Sequence, residues 1–299
     1  MAAPEAGNHV CRTTTDKQIN IVNTMISKAL IKLVRSLEHK KGREKEHLFV
    51  AEGSKTVTEL CRTFTVERLA ATDEWYAQHR QTMHSDALNS ASAVVVTADE
   101  LRRLSLLQHP QDVVALFRLP SDDNGTADID AAQTVNIDAT KSLVLALDGV
   151  QDPGNVGTII RTADWFGVRN IVCSADCADA FAPKVVQSTM GSLAHVHIIY
   201  TDLRSYLSKQ PAGTPIYGTL LDGDDIYGQA LSDNGIIVMG NEGNGISADI
   251  RQIVNRRLLI PRYEKGNVGN GDEGIGSAES LNVAIATAVV LAEFRRRGA

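Results

Sequence analysis

Ser142-Leu143-Val144-Leu145-Ala146-Leu147-Asp148-Gly149-Val150-Gln151-Asp152-Pro153-Gly154-Asn155-Val156-Gly157-Thr158-Ile159-Ile160-Arg161-Thr162-Ala163 passes from a short apolar run, through a turn bearing Gly and Pro, into a helix. The helix is expected to begin near Asn155, a residue type suited to capping. Arg161 then lies about two turns further in. Further short apolar runs follow at Asn170–Cys173, Val196–Tyr200, Ile216–Leu220, Ile236–Met239 and Leu258–Ile260, with helical stretches between most of them. This alternation predicts an α/β fold, a parallel sheet covered by helices on both faces. Sheets of that kind take ligands in the loops beyond the carboxyl ends of their strands.

Three such loops carry chemistry. In the segment quoted above, a helix N-terminus and Arg161 together suit an anion such as an RNA phosphate. The second segment, Met239-Gly240-Asn241-Glu242-Gly243-Asn244-Gly245-Ile246-Ser247, follows a strand and packs glycines around Glu242. Glycine at that density lets backbone approach a ligand closely, and a carboxylate there calls for a partner. The third runs from Leu258-Leu259-Ile260-Pro261 to Ser280-Leu281-Asn282-Val283-Ala284. A helix is expected from about Ser280 to Arg297, apolar nearly all round and therefore buried. Burying Asn282 would demand a partner for its amide. Alone, the first segment reads as a structural turn with a surface arginine, and the second equally well as a flexible loop. Arg295, Arg296 and Arg297 read as a solvated helix end.

Gly269-Asn270-Gly271-Asp272-Glu273-Gly274 is a literal GxGxxG. It sits in an acidic loop away from any strand end, where Asp272 and Glu273 would repel a pyrophosphate, so a nucleotide-dependent oxidoreductase is disfavoured.

Bulk properties set the class. The 299 residues favour two domains, and 43% hydrophobic with 22% charged residues is ordinary for a globular protein with a real core. No apolar run reaches the roughly 20 residues that span a bilayer, so no membrane partner is expected. Met1–Gln18 lacks the basic-then-apolar pattern of a secretory signal, which points to the cytoplasm. Cys11, Cys61, Cys173 and Cys177 include no CxxC pair, so reduced thiols and no metal are expected. A net charge of −6 weighs mildly against a whole-surface nucleic-acid binder but leaves room for a local basic patch.

Residues 1–23 read as a loose tail. Residues 24–119 form a smaller α/β unit, with an amphipathic helix from Thr24 to Glu38, strands at His47–Ala51, Val66–Ala71, Ala93–Val96 and Val113–Phe117, and helices at Lys55–Cys61 and after Thr97. Residues 120–141, rich in Asp, Asn, Gly and Thr, read as a linker, and 142–299 form the parallel-sheet domain.

Taken in order, Asn155…Arg161, Met239-Gly240-Asn241-Glu242-Gly243 and Ile260-Pro261…Ser280-Leu281-Asn282-Val283 resemble the three motifs of the SpoU, or TrmH-like, branch of the SPOUT RNA 2′-O-ribose methyltransferases. The stretches Leu37-Glu38-His39-Lys40-Lys41-Gly42-Arg43 and Phe49-Val50-Ala51-Glu52-Gly53 resemble the opening of that family's RNA-binding extension. The resemblance implies a C-terminal trefoil knot, a homodimer, and S-adenosylmethionine held by Gly240, Ile260 and Leu281, with Thr219 and Leu220 at a neighbouring strand end. It places Asn155, Arg161, Glu242, Ser280 and Asn282 on catalytic and site-shaping positions. One departure is the long Gly- and acid-rich stretch between Pro261 and Gly276.

The implied reaction is methyl transfer to an RNA ribose 2′-hydroxyl, with ribosomal RNA favoured over transfer RNA. An inactive RNA-binding module and a base-modifying enzyme are the competing readings. A guanidinium, with a pKa above about 12, is a poor base. Arg161 is therefore expected to orient the hydroxyl and its phosphate, while Glu242 and Asn155 hold Arg161 or the loop. Lys32, Arg35, Lys40, Lys41, Arg43 and Lys45 are the candidate RNA-backbone contacts. Glu38, Glu44 and Glu46 dilute that charge.

Overall fold

The computed structural model describes residues 26–79, 92–120, 137–263 and 280–297. The tail, most of the linker, the GxGxxG stretch and most of the acid-rich insertion lie outside them.

The N-terminal unit begins with helix α1 (Lys28–Ser36), capped by the Ser27 hydroxyl, which accepts from the Leu30 amide. A single helix to Glu38 is expected from periodicity. Instead the chain turns at Leu37–His39 and restarts as α2 (Lys40–Glu46). The turn is tight enough that a Cβ on Gly42 would meet the Ser36 carbonyl oxygen at 1.9 Å, so a side chain there would force the two helices apart. Next come β1 (Leu48–Glu52), α3 (Ser54–Leu60), β2 (Val66–Ala71) and α4 (Asp73–His79). Strand β3 (Ser92–Val95), α5 (Ala98–Leu104) and β4 (Val113–Arg118) complete the unit. Thr97 and Glu100 close a reciprocal capping box at the start of α5. The mixed sheet has the order β1-β4-β2-β3. Helix α4 escapes the periodicity reading because its seven residues offer less than two apolar turns, yet Trp75 and Tyr76 are buried.

The C-terminal unit has the expected α/β architecture. Its strands are β5 (Leu143–Leu147), β6 (Asn170–Cys173), β7 (His197–Tyr200), β8 (Ile216–Asp225), β9 (Gly235–Met239) and β10 (Arg256–Leu259). Every pairing is parallel, in the order β10-β8-β9-β5-β6-β7. The helices are α6 (Pro153–Trp165), α7 (Pro183–Thr189), α8 (Leu203–Ser208), α9 (Ala248–Arg251) and α10 (Val283–Arg297). Strands β5 and β9 are buried along their whole length, as befits central strands covered on both faces. Packing extends back into the linker, where buried Ala139 accepts the Gly235 amide through its carbonyl at 2.7 Å.

Helices α6 and α10 lie side by side and parallel. Asn282 bonds Asn155 at their N-terminal ends, and Arg295 Nε donates to the Phe166 carbonyl at their C-terminal ends, at 2.7 Å. Arg295 is therefore a cap on α6 rather than part of a solvated end. Helix α10 is buried on one side only. Val283, Ala284, Val290, Leu291 and Phe294 pack inward, whereas Ile285 is 54% exposed and Ala292 open. An all-round apolar sequence here does not mean all-round burial.

The two units share one core. Phe49 of β1 stands 5.4 Å from Phe117 of β4 and 5.0 Å from Phe181 of the C-terminal unit, with Phe64 edge-on at 5.2 Å. Fully burying a phenylalanine contributes about 1.5–3 kcal/mol, so this cluster keeps the two units in contact.

Candidate active site

The site grows from the carboxyl end of β5. The backbone of Asp148 donates to the Met239 carbonyl at the end of β9, and its Oδ2 accepts the Ser247 amide at 2.7 Å. The Gly149 carbonyl accepts Asn241 Nδ2 at 2.7 Å. Two strand-end loops are thereby stitched together.

Helix α6 starts earlier than expected. Asp152 is its cap, with Oδ1 accepting the Asn155 amide at 2.8 Å, and Pro153 occupies the first turn. Asn155 thus lies inside the helix rather than capping it, and its side chain reaches across to the other two segments. Asn155 Nδ2 donates to Glu242 Oε1 at 2.6 Å, and Asn155 Oδ1 accepts from Asn282 Nδ2 at 2.9 Å. Asn282 is exposed rather than buried, and its amide has the partner the sequence called for. Asn282 Oδ1 also accepts the Ala284 and Ile285 amides, at 3.0 and 3.3 Å, capping α10. All three segments meet in this one chain of hydrogen bonds.

The glycine-dense loop is a tight turn and not a flexible one. Asn241 and Gly245 exchange backbone hydrogen bonds at 2.9 Å in both directions. Asn241 Oδ1 accepts the Gly243 and Asn244 amides at 2.9 and 3.1 Å. A Cβ on Gly240 would meet the Gly245 carbonyl carbon at 2.2 Å and the Ile246 nitrogen at 2.3 Å.

Beside this turn opens a cleft of about 490 Å³. Thr219, Leu220, Gly240, Ile260 and Leu281 all line it, as do Glu242 and Ser280. Its walls are strand ends and glycine backbone, a surface of amide and carbonyl groups between aliphatic side chains. Thr219 Oγ1 is committed to the Val238 carbonyl at 3.1 Å. At the rim Asp222 pairs with both Arg251 and Arg257, the latter at 3.1 Å. Neither Asp222 nor its arginines stood out in the sequence, because their juxtaposition needs both α9 and β10 to pack beside β8.

Arg161 is not gathered into the Asn155 network. Six residues on, it falls about 120° round the helix from Asn155. It is exposed, and among the described residues no hydrogen bond or ion pair engages it. Glu242 and Asn155 therefore hold each other and Asn282, not Arg161.

Of the RNA candidates, Lys32, Arg35, Lys40, Lys41 and Lys45 are exposed on α1 and α2. Arg43 is not. At 3% exposure it is among the most buried charges described, and its Nη2 and Nε donate to Asp179 Oδ2 at 2.6 and 3.1 Å. Its Nη1 caps the end of α1 through the Leu37 and Glu38 carbonyls at 2.7 and 3.0 Å. An RNA phosphate cannot reach a guanidinium so enclosed, so Arg43 leaves the list of contacts. Arg35, Lys40 and Lys45 each face a neighbouring glutamate, at 4.0, 3.9 and 2.8 Å. Among the described residues no ion pair engages Lys32 or Lys41.

Comparison with known proteins identifies both units. The model of the SpoU rRNA Methylase family matches residues 142–292, and that of the MRM3-like substrate binding domain matches residues 28–115. The chain is 30% identical to the 23S rRNA (guanosine(2553)-2′-O)-methyltransferase RlmP of Bacillus subtilis, over 87% of this chain and 94% of that one. It superposes on a TrmH-family protein of Porphyromonas gingivalis with TM-score 0.73 at 36% identity, covering 92% of this chain and all of the other. An AdoMet-bound rRNA methyltransferase of Sinorhizobium meliloti gives TM-score 0.73 at 28% identity, covering 93% and 98% of the two chains. With the family model matching residues 142–292 and a relative 30% identical along nearly the whole of both chains, the chain belongs to the SpoU rRNA Methylase family.

Proposed function

We propose that this chain methylates a ribose 2′-hydroxyl of ribosomal RNA, using S-adenosylmethionine. The observation that carries the reading is the meeting of all three motif segments at Asn155, Glu242 and Asn282, on the rim of the cleft lined by Gly240, Ile260 and Leu281. The activity of the Bacillus relative, a 23S rRNA 2′-O-methyltransferase, supports the choice of RNA and of atom.

The donor supplies an electrophilic methyl on a sulfonium, and a neutral thioether leaves. What the chain supplies is alignment and control of a proton. Gly240, Ile260 and Leu281, with Thr219 and Leu220, line the cleft and would hold the donor. Asn155, Glu242, Asn282 and Ser280 fix the rim against which the ribose is placed, and such alignment contributes several kcal/mol. Arg161 orients the 2′-hydroxyl and its neighbouring phosphate. A guanidinium with a pKa above about 12 does not take the proton, which departs through phosphate or water.

The active form in this reading is a cytoplasmic homodimer with a C-terminal trefoil knot. Trp165 is 84% exposed, Leu281 51% and Ile285 54%, a set of apolar side chains on and beside α6 and α10 that a second copy would cover. The same side of α6 presents Arg161. On α1 and α2, Lys32, Arg35, Lys40, Lys41 and Lys45 supply salt-dependent contacts to the RNA backbone.

The test is methyl transfer from radiolabelled S-adenosylmethionine to ribosomal RNA from cells lacking the protein, wild type against Arg161→Ala. Label is expected in an alkali-resistant 2′-O-methyl dinucleotide and lost in the variant. Donor binding with transfer to a base, or no donor binding at all, overturns the reading. Wild-type transfer undiminished in Arg161→Ala removes the role given to that residue.

A further inference from the structure

Arg43 stands on the same short helix as the exposed Lys40, Lys41 and Lys45, but on its buried face. Its partner Asp179 belongs to the other unit, in the segment between β6 and α7. Asp179 spends its second oxygen on the Phe181 amide, at 2.9 Å, so the carboxylate is fixed from both sides. That same segment also holds the turn after β5. Ser174 Oγ accepts the Gly149 amide at 2.9 Å, and the Ala178 amide donates to the Val150 carbonyl at 2.9 Å. The Gly149 carbonyl in turn accepts Asn241 Nδ2 at 2.7 Å, one residue before Glu242, which holds Asn155. Hydrogen bonds joined by short stretches of backbone therefore link the helix bearing the exposed lysines to the rim of the donor cleft.

We propose that Arg43 and Asp179 are a positioning pair, setting where RNA held on α1 and α2 meets the catalytic rim. This rests on the reading of the chain as an RNA ribose methyltransferase. The Phe49–Phe181 contact already fixes the two units in contact, but apolar rings tolerate small rotations. A guanidinium giving two hydrogen bonds to one carboxylate and two more to backbone has a defined direction. Rotation of the smaller unit would break them in a buried place, where the loss is not made good by water. The pair touches neither RNA nor donor, so its effect reaches the chemistry through Asp179 and the 148–152 turn.

The experiment uses the full-length chain with Arg43→Lys, Asp179→Asn and the double variant. Lysine keeps the charge and loses the fork, while asparagine keeps the shape and loses the charge, so neither depends on the survival of an alanine truncation. Donor affinity by calorimetry is expected to stay within about twofold of wild type, while kcat/KM for RNA falls about tenfold in each single variant. The double variant is expected to be little worse than either single one, as befits one shared interaction. Hydrogen exchange at the Gly149 and Ala178 amides is expected to accelerate while the β5 amides stay protected. Unchanged RNA kinetics in the folded variants overturn the proposal, as does a loss that merely tracks donor affinity and melting temperature. The exchange readout needs no turnover. If wild type transfers no methyl, the functional reading fails by itself, and unaltered exchange at Gly149 and Ala178 would still overturn the link.

Discussion

Asn155 Nδ2 donates to Glu242 Oε1 at 2.6 Å, although 87 residues separate the two in sequence. The glutamate stands in a turn of glycines, exposed, with its orientation set by this amide. Because Asn155 also accepts from Asn282 at 2.9 Å, its amide has one defined direction, nitrogen toward Glu242 and oxygen toward Asn282.

Asn155→Asp would set a carboxylate where Glu242 now receives a hydrogen bond. Two like charges at that spacing repel, and Asn155→Ala merely vacates the position. Turnover is expected to fall about a hundredfold in both variants, the scale of a misplacement of about 1 Å, with the aspartate the slower of the two. Donor affinity is expected to change only a few-fold. Initial rates with calorimetry check this, and a wild-type rate in Asn155→Asp would show that the hydrogen bond positions nothing.

Gly240→Ala brings a methyl group to within 2.2 Å of the Gly245 carbonyl carbon. Backbone cannot yield as a flexible side chain would, so the 241–245 turn must open. Loss of more than about 2 kcal/mol of stability is expected, together with loss of donor binding. Thermal unfolding and calorimetry measure the two, and a variant that binds the donor normally would mean the turn adapts.

Glu52 gives a pH signature away from the cleft. Its carboxyl is buried, and burial pushes its pKa above the usual 4.5, although Ser105 Oγ and the Leu106 amide hydrogen-bond to it. A carboxyl raised in the folded state contributes stability that is full below its unfolded pKa and is lost as pH rises through its folded one. Glu52→Gln has no charge to bury. Its melting temperature relative to wild type is therefore expected to rise between pH 4 and pH 7, measured by thermal unfolding across that range. A pH-independent difference would show that burial of the charge does not matter there.

Ile285→Glu tests the apolar face of α10. Ile285 and Trp165 are 54% and 84% exposed, and a charge set into a covered apolar patch leaves an uncompensated group. Sedimentation velocity is expected to show wild type as a dimer and the variant shifted toward monomer. Identical sedimentation of the two would remove this face from the assembly.

Much of the architecture is legible along the chain. The apolar runs Ser142–Leu147, Asn170–Cys173 and Ile236–Met239 are strands because a central parallel strand buries both faces, and unbroken apolar runs are the local sign of that. The three loop segments were legible for a similar reason, since strand ends and glycine turns are local features, whereas Gly240 and Leu281 were singled out only by the family resemblance. What only the tertiary structure decided are matters of partner. Asn155 looked like a cap, but Asp152 stands three residues earlier and takes the amide, which frees the asparagine to bridge segments. Arg43 read as one more cation in a basic run, and it is buried because Asp179 waits 136 residues away. Helix α10 has an apolar sequence all round, yet only the face toward α6 and Tyr217 is covered. Periodicity reports what a residue could bury, whereas the geometry of elements far apart in sequence determines what it does bury and which polar groups it meets.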